Sequence, residues 1–362
     1  MKLKRILPFV LALMISGCSA QSKQEPTHEK YSMSFFGTFD TVISIIGYAP
    51  DQATFDQEAA KAQELFTNLH QQFDKYHLYE GVNNLRTLNE QAAQQPVPVP
   101  QELFDLILYC KEHQAKLHNT VNIALGNVLA LWHDAREKAE VTPTAACLPD
   151  MQTLSQAALH TDIDDVVLDK QNRTVMFTDP ALQLDLGAAA KGYATELVAQ
   201  QLLKGPMPSF IINAGGNVRT GHSPKDGRNN WGVAIQHPDG RVVAQSQGDI
   251  IETLFVHDLS VVTSGDYQRY VEIDGVRYHH IISPETLMPT HYMRSVSILT
   301  EHSGYADLLS TAVFLMPFDE GLAFVESLPG VEAVWVLNDC SVRMTKGAEA
   351  VARSFGASNH NP

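Results

Sequence analysis

Apolar residues recur along this chain with two different periods. Residues 38–48 are dense in β-branched side chains (Thr38, Thr41, Val42, Ile43, Ile45, Ile46) and read as a strand. Over 52–73 the spacing changes. Ala59, Ala62, Leu65, Phe66, Leu69 and Phe73 fall three and four apart, which is the stripe of an amphipathic helix. Pro96, Pro98 and Pro100 interrupt the chain. A second helix is read over 101–117, with Leu103, Leu106, Ile107 and Cys110 on one stripe, and a shorter third over 147–159. Short strands then crowd together: 166–168 and 174–177 around Lys170-Gln171-Asn172, and 183–186. An alanine-rich helix over 188–203 leads to strands at 210–213, 231–236, 250–255 and 260–263. The C-terminal part reads as a strand at 295–300, helices at 305–315 and 322–328, and a strand at 333–337. Strands interrupted by a few long helices, without regular βαβ alternation, predict an α+β fold with mixed or antiparallel sheets and several packed helices.

The sharpest local signal is Asp274-Gly275 between two β-rich runs, which favours a two-residue hairpin turn. That register sets Ile273 against Val276, Glu272 against Arg277, Val271 against Tyr278 and Arg269 against His280. Glu272 and Arg277 then form an opposite-charge pair across the strands. His280 stands at the strand end beside Arg269, and His279 points to the opposite face.

The N-terminus follows neither period. Lys2, Lys4 and Arg5 precede an apolar run over 6–15, and Ile15-Ser16-Gly17-Cys18 resembles a bacterial lipobox, in which cleavage precedes the cysteine and a lipid is attached to it. The expected organisation is a signal peptide over 1–17, lipidated Cys18 with a polar tether over 18–32, and a catalytic domain over 33–355. The expected location is the extracytoplasmic face of a bacterial cell membrane, with the protein held by its lipid. With 26 Lys+Arg against 41 Asp+Glu the net charge of −15 excludes a nucleic-acid partner, because phosphate neutralisation needs the opposite sign. Once Cys18 is lipidated, Cys110, Cys147 and Cys340 remain; three is odd, so at most one pair could form.

Several segments carry chemistry. Leu184-Asp185-Leu186-Gly187-Ala188-Ala189-Ala190-Lys191-Gly192 puts small residues at a strand-to-helix junction, where free N–H groups and the helix dipole favour an anion and Lys191 adds a charge; it serves equally for tight packing. Asn213-Ala214-Gly215-Gly216-Asn217 allows close backbone approach, or is only a turn. Asp307, Ser310 and Thr311 fall at i, i+3 and i+4 and share a helix face. One carboxylate with two hydroxyls suits a small hard cation such as Mg²⁺, or is simply a helix-start acid followed by back-bonded hydroxyls. His280 could take a proton from a hydroxyl.

In this order these segments resemble the ApbE family, the bacterial FAD:protein FMN transferases. Further matches are Phe36-Gly37-Thr38, Asp74-Lys75-Tyr76 with Leu88-Asn89, Asn122-Ile123-Ala124-Leu125-Gly126 with Leu131-Trp132, Thr263-Ser264-Gly265-Asp266-Tyr267, and His280-Ile281-Ile282 with Pro284. The resemblance implies a T-fold-related architecture and Mg²⁺-dependent transfer of FMN from FAD to a Ser or Thr hydroxyl of an acceptor flavoprotein, a membrane redox subunit with an FMN-binding domain, with AMP released. It implies metal ligands at Asp307, Ser310, Thr311 and the Ala188 carbonyl, FAD contacts at Phe36, Tyr76, Thr120, Val121, Asn122, Asp185, Lys191 and Ile282, and a base at His280. The chain departs from the family pattern at Phe36 (usually Met), Asn122 (usually Asp) and Ser283 (usually Asp), the last leaving open what orients His280. An FAD pyrophosphatase using water at the same site is the alternative. A flavin-carrying lipoprotein is a third reading, but the chain lacks the acceptor motif, Asp followed by Ser/Thr-Gly-Ala-Thr.

Overall fold

The computed structural model describes residues 28–142, 147–240 and 247–360. The expected export signal, Cys18 and the expected tether up to residue 27 lie outside the described residues. The strands are β1 (Glu29–Thr38), β2 (Thr41–Ala49), β3 (Val97–Pro98), β4 (Val166–Asp169), β5 (Thr174–Phe177), β6 (Phe210–Ala214), β7 (Asn217–Thr220), β8 (Trp231–Gln236), β9 (Ile250–Val256), β10 (Ser260–Gly265), β11 (Tyr270–Ile273), β12 (Val276–His279), β13 (Ser295–Thr300), β14 (Glu332–Val336) and β15 (Val342–Met344). The helices are α1 (Gln52–Phe73), α2 (Leu85–Gln91), α3 (Gln101–Gln114), α4 (Gly126–Val141), α5 (Met151–Ala157), α6 (Ala190–Lys204), α7 (Ser303–Phe314), α8 (Phe318–Glu326) and α9 (Lys346–Val351).

An eight-stranded antiparallel sheet in the order β1-β2-β6-β7-β10-β13-β14-β15 forms the centre. Its two faces are sorted by the strand period. On one face Ile43, Ile45, Val262, Ile298 and Trp335 pack under α1, α6 and α7 in the main core. On the other, Val218, Val261, Leu299 and Val334 meet the β8–β9 ribbon and α9. Neighbours such as Val261 and Val262 therefore serve different cores, and each buried Val, Leu or Ile contributes roughly 1.5–3 kcal/mol. The expected α+β class holds.

Three expectations are corrected. Residues 29–32, read as tether, belong to β1. Residues 183–186 form no strand: only the bridge of Gln183 to Leu125 survives, and the Leu184 N–H donates to the Asn89 side chain instead of a ladder partner. The hairpin register of β11 and β12 is as expected, but Glu272 and Arg277 form no ion pair. Arg277 turns to Asp266 (3.6 Å) and lies over the Tyr270 ring (4.3 Å), because a half-buried carboxylate and an aromatic face offer more than a fully hydrated glutamate. Cys110, Cys147 and Cys340 are all free thiols, which the limit of at most one pair allows.

Candidate active site

The Ala-Lys-Gly run starts α6, and its glycine decides how closely α7 can approach. A Cβ on Gly192 would lie 2.4 Å from the Asp307 Cβ and 2.5 Å from the Ser303 carbonyl oxygen. With only hydrogen there, the Gly192 N–H reaches Asp307 Oδ2 at 2.8 Å. Asp307 is buried, and among the described residues it forms no ion pair within 4.0 Å. Burial raises its carboxyl above the usual range, against the pull of Lys191 and the Gly192 N–H. Burial thus disfavours its charged form, and a cation bound there would stabilise the carboxylate. One turn on, the Ser310 hydroxyl shares a 2.8 Å hydrogen bond with Ser264 and donates to the Asp307 carbonyl at 3.0 Å, which ties the end of β10 to the same spot. Thr311 is half-buried beside it, and Ala188 sits in the turn before α6. Among the described residues no three His, Cys, Asp or Glu gather as a metal cluster. The donor set fits a hard cation that takes one carboxylate, neutral oxygens and water; it does not fit zinc.

A second group forms where α1 ends. Buried Asp74 accepts from the Tyr76 N–H (2.6 Å), His77 (2.9 Å) and the Tyr79 hydroxyl (2.8 Å). Burial raises its carboxyl, but those bonds outweigh it and hold the group below its usual range. This pinned turn presents Tyr76, 42% exposed, with its ring 5.1 Å from that of His133. Lys75 binds Asp185 Oδ2 at 2.6 Å, and Asp185 Oδ1 accepts the Gly187 N–H at 2.8 Å. Asn89 fixes the same segment by a two-way bond with the Leu184 backbone (2.8 and 3.0 Å). Gly126 opens α4 against it, because a Cβ there would lie 2.5 Å from the Gln183 carbonyl.

The hairpin brings the histidines. His280 Nδ1 lies 3.2 Å from the Arg269 carbonyl, which can only accept, so Nδ1 carries the proton and the Nε2 lone pair is free. Burial, with Arg136, Arg269, His279 and Lys191 around it, pushes its pKa down to about 3, so the ring is neutral at physiological pH. Its neighbour has both nitrogens engaged: His279 Nε2 donates to the Thr290 carbonyl at 2.6 Å and Nδ1 accepts the Ile281 N–H at 3.2 Å. His279 is buried against Phe314 and is a core residue.

The remaining expected residues divide. Phe36 is 84% exposed next to the β1–β2 turn, where Asp40 meets Arg269 at 3.8 Å. The Thr120 hydroxyl folds back onto the Leu117 carbonyl, and the Val121 and Ile282 side chains are buried, so these three could offer a ligand backbone groups rather than side chains. Asn122 donates to the Thr161 carbonyl (2.7 Å) and accepts the Ala124 N–H (2.9 Å). The donation needs an amide, which accounts for asparagine at this position. Ser283 caps its own turn through the Glu285 and Thr286 N–H groups, so the Arg269 carbonyl orients His280 in its place. Sequence reading held Lys75 and Ser264 only as parts of matched segments, with no role, and missed His133 and Arg136. A lysine adjoining Tyr76 and a basic residue one turn past Trp132 were the available signals.

The sequence model of the ApbE family matches residues 39–335. The chain is 34% identical over 301 residues to the FAD:protein FMN transferase of Treponema pallidum, covering 80% of each, and 28% identical to one of Klebsiella pneumoniae, covering 78% of this chain and 84% of that one. The crystal structure of the ApbE protein of Thermotoga maritima superposes with a TM-score of 0.76 at 26% identity, over 89% of this chain and 99% of that one. The flavin transferase ApbE of Vibrio cholerae, at 22% identity and a TM-score of 0.71, shares the fold over 90% of this chain and 99% of that one.

Proposed function

The chain belongs to the ApbE family and is a flavin transferase, and we propose that it moves FMN from FAD to a Ser or Thr hydroxyl of a partner flavoprotein in a Mg²⁺-dependent reaction that releases AMP. The observation that carries the reading is Asp307: a buried carboxylate with no ion pair among the described residues, seated on the start of α6 by Gly192. With Ser310, Thr311 and the Ala188 carbonyl it would hold Mg²⁺, which when bound neutralises charge on the diphosphate. Phe36 and Tyr76 supply exposed rings for the flavin, and Lys191 a charge for the phosphates. In the transfer, the acceptor oxygen bonds to the FMN phosphorus and the bond from that phosphorus to the AMP oxygen breaks. The hydroxyl proton goes to His280 Nε2, the lone pair left free by the Arg269 carbonyl.

Incubation of the protein with FAD, Mg²⁺ and an acceptor carrying an FMN-binding domain, followed by intact mass, tests this. The expected acceptor gains one FMN less water. Free FMN and AMP with an unmodified acceptor would instead identify a pyrophosphatase.

Residues 1–17 are proposed as a signal peptide, Cys18 as the lipidated residue, and the extracytoplasmic face of the cell membrane as the site of action, with membrane redox subunits as acceptors. Cys18→Ala should release the protein from membranes without loss of catalysis in detergent. Unchanged membrane retention with an unlipidated wild-type Cys18 would contradict it.

A further inference from the structure

Arg136 is a half-buried guanidinium on α4 that makes no hydrogen bond and no ion pair among the described residues. None of its nitrogens is buried without a partner, so its five N–H donors reach solvent, are claimed by no protein acceptor, and are available to an anion.

Its direction is set by its own helix. Trp132 anchors α4 by donating Nε1–H to the Leu287 carbonyl at 2.9 Å and stacking on Tyr278 of β12, ring centroids 6.1 Å apart. His133 packs on the Tyr76 ring. Arg136, four residues beyond Trp132 and three beyond His133, shares the side of the helix between them, so it faces the gap between Tyr76 and the His280 end of the hairpin. The fields of Arg136, Arg269 and Lys191 all reach His280.

Most carboxylates nearby are already engaged: Asp185 is committed to Lys75, Glu137 contacts His133, and Asp40 meets Arg269 at 3.8 Å, while Glu140 is exposed. Among the described residues Arg136 has no carboxylate within 4.0 Å, which leaves its charge available to an anionic ligand. A ligand carrying two adjacent phosphates suits such a spot, and a guanidinium fork matches phosphate oxygens bidentately where an ammonium cannot.

We infer that Arg136 is a diphosphate-binding residue, donating to the non-bridging oxygens of the dinucleotide held between Tyr76 and His280. The inference rests on the flavin-transfer reading for the identity of the dinucleotide.

The test is calorimetric titration of the full chain in detergent with EDTA, so that no metal contributes, using inorganic pyrophosphate, ADP, FAD and riboflavin. Arg136→Gln should weaken pyrophosphate, ADP and FAD at least tenfold and riboflavin less than twofold. Lys138→Gln, the same charge change at an exposed position on the same helix, should leave all four unchanged. Equal pyrophosphate and FAD affinities in wild type and Arg136→Gln would overturn the inference. If Arg136→Gln does not fold, Arg136→Lys decides: a threefold or greater loss of pyrophosphate affinity supports bidentate binding, and parity overturns it. Wild type that binds pyrophosphate through Arg136 but no FAD would uphold the anion site and overturn the flavin reading.

Discussion

Two adjacent histidines have opposite tasks because a strand turns successive side chains to opposite faces. His280→Ala should keep FAD binding but lose about 10²–10⁴-fold in transfer, the usual worth of a general base. His279→Ala should instead lower the melting temperature and leave the folded enzyme's turnover within a few-fold, since both ring nitrogens bind backbone. Equal losses of turnover in the two variants would refute the assignment. This division was legible from Asp274-Gly275 alone, because a two-residue turn fixes register and register fixes face. Asn122 was not legible in the same way. Its exchange for the family aspartate, which keeps hydrogen bonds and loses a charge, was visible, but the partner of its amide was not: the amide hydrogen goes to a carbonyl 39 residues away. Asn122→Asp should place a carboxylate against the Thr161 oxygen and cost about 1–3 kcal/mol in denaturant unfolding; an unchanged midpoint would show that the contact carries no weight.

Among the elements, α1, β13 and the β11–β12 hairpin were legible because a long or alternating apolar pattern dominates them. α4 was hidden. Its inward residues Val128, Trp132, Ala135 and Ala139 make a thin stripe, and charged residues fill its second half. β1 was missed although Tyr31, Met33 and Phe35 alternate with Lys30, Ser32 and Ser34, because its polar start continues the composition of the segment before it. Residues 183–186 misled because they alternate like a strand while their backbone bonds go to the Asn89 side chain and to Ile123 and Gly126 rather than to a ladder. The contact of α6 with α7 is where element packing becomes chemistry. Gly192→Ala forces a methyl against Asp307 and Ser303, and overpacking of this kind costs about 1–3 kcal/mol. It should lower both the melting temperature and the Mg²⁺ response of turnover. A variant that melts lower but keeps the wild-type Mg²⁺ midpoint would separate the packing from the proposed metal site.

For the whole molecule, burial drives His279 down to about 4 from an ordinary value of 6.5, and its cost appears as acid sensitivity. Between pH 6.5 and 4 the unfolded chain takes up a proton that the folded one refuses, so stability falls as pH falls; below 4 both forms are protonated and this slope ends. In His279→Gln that component is gone, so its stability deficit should narrow by up to roughly 3 kcal/mol as pH falls through the window. Parallel stability curves would contradict the buried neutral ring. At this scale fold class and family were readable, since ordered short motifs survive where periodicity does not. The encirclement of His280 by Arg136, Arg269 and Lys191 was not, because it joins residues from α4, the hairpin and α6 that no spacing connects. The central claim is that Asp307 forms a cation site on which flavin transfer depends. It is tested most directly by intact-mass measurement of FMN on the acceptor, across a Mg²⁺ titration, for wild type and Asp307→Ala. The expected result is Mg²⁺-dependent modification by wild type, none in EDTA, and nearly none by a folded Asp307→Ala. Transfer that persists in EDTA, or an Asp307→Ala enzyme with the wild-type Mg²⁺ midpoint, would contradict it.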